Sequence, residues 1–248
     1  TADFILTCDL NGFDASSPVG ACITIGADDV VVDCGGHSIT GPGSLGVYAE
    51  GKNNVRVANC RISDYSVSGI EFKNSQNTIV EDNVLFGNGE YGGYNIRVFA
   101  SSPSVSALNV VRNNVVGGKA GAHVFLGNVR DSLVSGNALT LDSGFAENYG
   151  ISVFLSKDSG APQYVVVDSN TLIFPGGIPA SQVGILFDGN GVQGAGNFIS
   201  NNVLTSQSRA SSSFLQPYVH KGVFVRKANG GVTVEGNTIG GVGMDSSV

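Results

Sequence analysis

Val111-Arg112-Asn113-Asn114-Val115-Val116 is the stretch that decides how this chain folds. It reads apolar, two residues, Asn, one residue, aliphatic. The pattern returns as Val80 to Asn83 to Leu85, Val134 to Asn137 to Leu139, and Val167 to Asn170 to Leu172. It returns again as Ile199 to Asn202 to Leu204 and Val234 to Asn237 to Ile239, and as Val57 to Cys60 to Ile62 with Cys in the Asn place. The step from first to last apolar residue is five positions every time. An earlier copy, Val32 to Ile39, is widened by two residues through Cys34-Gly35-Gly36-His37. A second pattern precedes each copy: small, apolar, any, apolar. Examples are Gly69-Ile70-Glu71-Phe72, Asn95-Ile96-Arg97-Val98, Gly121-Ala122-His123-Val124 and Gly150-Ile151-Ser152-Val153.

Both patterns alternate apolar and variable residues, which is the period of a short strand with one buried face. Neither can bury that face alone. Coils stacked ~4.8 Å apart would bury all of them in one continuous core. The Asn then falls once per coil at an inward corner, where stacked amides bond one another and the bent backbone. This ladder is expected at Cys60, Asn83, Asn114, Asn137, Asn170, Asn202 and Asn237.

These repeats resemble those of the secreted right-handed parallel β-helix superfamily, which includes pectate lyases, polygalacturonases, alginate lyases and epimerases, and phage tailspikes. The opening segment, Cys22-Ile23-Thr24-Ile25 through Val32 to Gly41, is similar to the first coil of such chains. The resemblance spans nearly the whole length. It implies an all-β, single-domain right-handed parallel β-helix solenoid of about eight coils with an inward Asn ladder. Residues 1–22 are expected to form an N-terminal cap segment, 23–241 the β-helix and 242–248 a C-terminal tail. Function is less constrained, because one scaffold hosts many activities. No lyase, hydrolase or epimerase motif maps residue by residue. The clustered Asp of pectinase-type enzymes is missing, as is an Asp-rich run for Ca²⁺.

Composition sets further bounds. Only 13% of residues are charged and 42% are hydrophobic, so the chain can bury a core. Net charge is −7 with no basic cluster, which excludes nucleic acid as a partner. No stretch approaches the ~18 apolar residues of a membrane span. The chain begins at Thr1 as a processed, secreted or cell-surface protein would. Cys8, Cys22, Cys34 and Cys60 lack zinc-site spacing and are expected to form two disulfides at the N-terminal end. Three pairings are open; Cys8–Cys22 with Cys34–Cys60 is favoured. No metal or cofactor is implied.

Outward residues at equal positions on successive coils form columns. The column inside the second pattern reads Tyr48, Glu71, Arg97, His123, Ser152. The next reads Glu50, Lys73, Phe99, Phe125, Phe154. Glu71, Arg97, His123 and Tyr48 are therefore candidate catalytic residues. Arg97 would bind a uronate carboxylate, His123 or Tyr48 would move a proton, and Glu71 would orient or share that work. Lys73, Phe99, Phe125 and Phe154 are candidate ligand contacts, the rings serving as a sugar-stacking platform. This loosely resembles polysaccharide lyases and epimerases, whose catalytic side chains stand on neighbouring coils of one sheet. A third column, Ile79, Val110, Leu133, Val166 and Phe198, would form an apolar contact face.

Insertions at 100–107, 156–163, 174–182, 188–196 and 206–219 are long enough to wall a shallow groove. The tail offers no evident cap, and an uncapped solenoid end invites head-to-tail stacking. The expected function is accordingly a noncatalytic extracellular structural or adhesive β-helix that associates with itself into an oligomer or filament. The alternative is a lyase- or epimerase-type enzyme, or a glycan-binding module, acting on an extracellular polysaccharide.

Overall fold

The computed structural model describes residues 2–12, 19–89, 92–101, 104–141, 147–155, 164–175, 181–190, 196–206, 220–228 and 231–240. The insertion expected at 156–163, most of those at 174–182, 188–196 and 206–219, and the tail at 242–248 lie outside these residues. Every element described is a β-strand. Three long parallel sheets hold nine, nine and eight strands, and each strand pairs with its counterpart one coil away. A single coil is typified by Tyr94–Phe99 in the third sheet, Val110–Arg112 in the first and Val115–Gly117 in the second.

The five-residue spacing works because it crosses one corner. Val111 ends its reach inward in the first sheet, Asn114 turns the corner, and Val116 points inward in the second. Register is exact: Val57, Val80, Val111, Val134, Val167 and Ile199 pair in succession, and so do Ile62, Leu85, Val116, Leu139, Leu172 and Leu204. All are at most 1% exposed, so each side chain contributes roughly 1.5–3 kcal/mol of apolar burial.

The ladder runs unbroken. Asn83 Nδ2 donates to Asn114 Oδ1 at 3.0 Å; the links Asn114–Asn137, Asn137–Asn170, Asn170–Asn202 and Asn202–Asn237 are each 2.9 Å. Each Nδ2 also donates to a carbonyl one coil back, as Asn114 does to Val80 O at 3.0 Å. Each Oδ1 accepts the backbone N–H of the preceding ladder residue, beginning with Cys60. The ladder thereby satisfies the polar backbone that the corner removes from sheet pairing. The residue before each Asn lies in the left-handed region, which Asp82, Asn113 and Asn201 tolerate. Gly136, at φ 65°, supplies the same turn without strain.

Cys60 ends the ladder. It and Cys34 hold the same corner in consecutive coils, with Cα atoms 4.7 Å apart, and they form a disulfide. The expected Cys8–Cys22 bridge is not made: both are free thiols. Leu6 N donates to Asp33 O, and Leu10 pairs with Ile39. Cys8 is thus carried onto the exposed bend beside Gly35-Gly36, at the corner between the first and second sheets. Cys22 belongs to the third sheet, in the strand Ala21–Ile25. The two thiols stand on different walls of the solenoid. Residues Ala2–Ile5 and Leu10–Asn11 add a strand to the first and second sheets, so pairing begins well before residue 22.

Candidate functional site

The third sheet carries the candidate catalytic and ligand-contact residues. Its strands are the longest, up to eight residues, and its outer face mixes rings, ions and small residues. The core pairs Ile70–Phe72, Ile96–Val98, Val124–Leu126 and Ile151–Val153 set the register. Outside them, Tyr48 pairs with Glu71, Glu71 with Arg97, Arg97 with Phe125, and Phe125 with Ser152.

His123 is therefore not in the outward column with Glu71 and Arg97. The pairs Tyr94–Ala122 and Ile96–Val124 place it level with Asn95, in the inward row that Gly69 holds one coil earlier. It is wholly buried. Asn95 Nδ2 lies 2.9 Å from its Nδ1, and Asn95 Oδ1 in turn accepts from Asn88 Nδ2 at 2.9 Å. Burial drives its pKa down to about 4, with the Thr140 backbone opposing the shift. It is a neutral core histidine. Its expected role in proton transfer to a surface substrate is withdrawn, because no outer surface reaches it.

Phe125 moves as well. Gly127, not Phe125, pairs with Phe99 and Phe154, so the three rings do not form one column. Phe125 stands one column over and lies across Gly127: a Cβ there would come within 2.7 Å of its ring. It still stacks with Phe154, at 5.7 Å between centroids and 27° between planes, and tilts against Tyr94 at 4.8 Å.

Glu71 and Arg97 are adjacent as expected. Arg97 Nη1 donates to Glu71 Oε2 at 3.3 Å, and Ser68 Oγ donates to the same oxygen at 3.1 Å. The carboxylate is tucked in, with its side chain 8% exposed. The guanidinium lies 3.8 Å from the Phe99 centroid and 4.9 Å from that of Tyr94. Tyr48 is buried, and its hydroxyl donates to Glu50 at 2.7 Å. Burial and then the Glu50 carboxylate push its phenol well above the ordinary value, so it keeps its proton at neutral pH. Lys73 bridges Glu50 at 2.8 Å. That ion and Tyr48 hold Glu50 below the usual carboxylate range. On the last coils, Arg226 Nε donates to buried Asp188 at 2.8 Å.

A groove of about 430 Å³ opens between these ions. Its floor is Gly92, Gly121, Ala122 and Ser152; its walls are Tyr94, Phe125, Tyr149 and Phe154. Only Phe125 and Phe154 of this set were among the sequence candidates. The column Tyr94, Ala122, Tyr149 was missed, because it stands two residues before each core pair and His123 replaces the small residue that precedes those pairs elsewhere. Among the described residues, no group of three or more His, Cys, Asp or Glu is placed to hold a metal ion. No helix among them is long and apolar enough to cross a membrane.

On the first sheet, Ile79, Val110, Leu133, Val166 and Phe198 do pair in one outward column, partly exposed, with Phe198 at 36%. Beside it, both Arg56 and Arg112 bond the Glu81 carboxylate.

A family model described as a right handed beta helix region matches residues 7–172. No curated protein matches the chain in sequence. Among solved structures, it is similar to an alginate lyase from Paenibacillus sp. str. FPU-7 at 14% identity and a TM-score of 0.52, covering 93% of this chain and 80% of that one. It is also similar to the Dettilon tailspike protein at 19% identity and a TM-score of 0.57, covering 82% of this chain and 39% of the tailspike. At these identities the likeness is one of fold.

Proposed function

The chain belongs to the right-handed β-helix family, and from that premise we propose that its third sheet is a carbohydrate-binding face for an extracellular polysaccharide. The observation that carries this reading is the groove, where four aromatic rings stand around a floor of small residues on one face of a rigid sheet. Ligand sites are concave, mostly apolar and sparingly polar, and aromatic walls suit the apolar faces of sugar rings. An alginate lyase and a tailspike share the scaffold, which makes this class a natural one for it. The described side chains suit binding better than proton transfer, since His123 is interior, Tyr48 is held protonated and Glu71 is engaged by two donors. The Cys34–Cys60 disulfide supports an oxidising location, in keeping with a secreted or cell-surface protein.

Affinity electrophoresis through gels loaded with different polysaccharides tests this. At least one gel should retard the native protein, and Phe125→Ala should abolish the retardation while leaving the melting temperature of the fold in place. Retardation that survives Phe125→Ala and Tyr149→Ala alike would remove the groove from the reading.

A second reading, lateral association with another copy, is supported by the Ile79 to Phe198 column, which is unusually apolar for an outer sheet face.

A further inference from the structure

Resting on the carbohydrate reading above, the geometry points to an uncharged oligosaccharide as the occupant of the groove over Ala122, with Ser152 as its polar contact. Three observations converge on this. The first is shape. Tyr94 and Tyr149 flank Ala122 in one column, two coil steps apart, which at the spacing of paired strands is roughly 9.6 Å. The small side chain between them leaves room for one ring with an aromatic contact on each side. Phe125 and Phe154, stacked on one another, extend the same apolar wall.

The second is charge. A uronate polymer needs cations free to meet its carboxylates, ideally in bidentate pairs. Of the described cations near this groove, Arg97, Arg226 and Lys73 already have carboxylate partners, and Lys119, two residues before Gly121, is exposed on its rim side. Arg97 is bonded to Glu71 and sits 3.8 Å from the Phe99 centroid; Arg226 is bonded to Asp188 and sits 5.8 Å from that of Phe154. Lys73, one coil below, is bonded to Glu50. Glu71 and Asp188 are both buried, so neither carboxylate can swing into water to release its arginine cheaply. The eight groove residues themselves carry no charge. The chain's net charge of −7 also repels a polyanion at long range.

The third is Ser152. It lies on the groove floor, 1% exposed, and its hydroxyl finds no hydrogen-bond partner among the described residues. A buried hydroxyl left unpaired is costly, and a ligand that pairs it is favoured accordingly. A sugar hydroxyl both donates and accepts, and suits an isolated serine at the bottom of an apolar slot. A carboxylate would gain one neutral donor there and lose its hydration.

The test is calorimetric titration of the full chain with two sets of oligosaccharides. One set is neutral, cut from glucans, mannans, galactans and xylans; the other is made of alginate and polygalacturonate oligomers of matched length. At least one neutral oligomer should bind, with every uronate oligomer about tenfold weaker or more, and the gap should persist in high salt. Ser152→Ala should weaken the neutral ligand by about tenfold. Ala122→Phe, which fills the groove from its floor, should abolish binding; thermal melting of both variants verifies the fold. A uronate oligomer that binds more tightly than every neutral one overturns this inference and leaves the carbohydrate reading standing. Binding of neither set overturns both. Unchanged affinity in Ser152→Ala overturns the assignment of Ser152.

Discussion

Acid should weaken this fold through His123 before it reaches the carboxylates. The imidazole is wholly buried, and burial holds its pKa at about 4, whereas in the unfolded chain it titrates near 6.5. Between those values the unfolded chain takes up a proton that the folded chain refuses. Stability therefore rises with pH across this window and is lost as pH falls from about 6.5 towards 4. At about pH 5 the loss relative to pH 8 amounts to about 2 kcal/mol. The carboxylates of Asp9, Asp33, Glu50 and Asp168 are depressed in the folded state, so their contribution is lost only at lower pH, below their unfolded values. The interval from about pH 6.5 to 5 therefore isolates histidine. Urea unfolding of the native chain and of His123→Gln, at several pH values in that interval, makes the measurement. The native protein should lose about 1.6 kcal/mol across that interval. The variant should start less stable, having disturbed the contact to Asn95, but vary little with pH. The other two histidines are common to both proteins, so the difference in slope belongs to residue 123. Equal slopes would refute the reasoning, and would return His123 to a surface where its charge is indifferent to folding.

Three further outcomes are expected. Asn137→Ala removes the acceptor of Asn114's backbone N–H and Nδ2 and three donor contacts of its own, so chemical unfolding should show a loss of about 4 kcal/mol. Asn237→Ala, half-buried at the last rung, should cost clearly less in the same assay. Cys34→Ser with Cys60→Ser opens a loop of 26 residues and should cost about 3 kcal/mol, while a thiol reagent should label exposed Cys8 in the native, unreduced protein. If the first-sheet column joins copies, sedimentation should show association that Val110→Glu abolishes; a concentration-independent monomer would rule out that second reading.

The fold was legible and the site only partly so, for one physical reason. The Asn ladder repeats its five-residue spacing without exception, because both flanking apolar residues and the amide between them are held by neighbours above and below. Any slip would orphan buried amides, so the spacing is under tight constraint. On the third sheet no amide recurs at one position in every coil to lock the register. There the repeat can be aligned either on its leading small residue or on its core pair, and the two alignments agree until a coil lacks the small residue. At residue 123 a histidine takes that place, bonded to Asn95, and Gly121-Ala122 imitates the missing marker two residues early. A slip of two residues keeps Phe125 facing outward, so alternation of apolar and polar residues cannot expose the error. It moves each side chain by roughly 7 Å along its strand, enough to exchange one column for the next. The slip set His123 beside Arg97 and concealed the alignment of Tyr94, Ala122 and Tyr149. Core burial discriminates between the two alignments, since Val124 is a far better inward partner for Ile96 than Ala122 is. On that alignment the residues Phe125 and Ser152 fall on the two coils that follow Arg97, and the groove, rather than a charged triad, becomes the feature that the outer face presents.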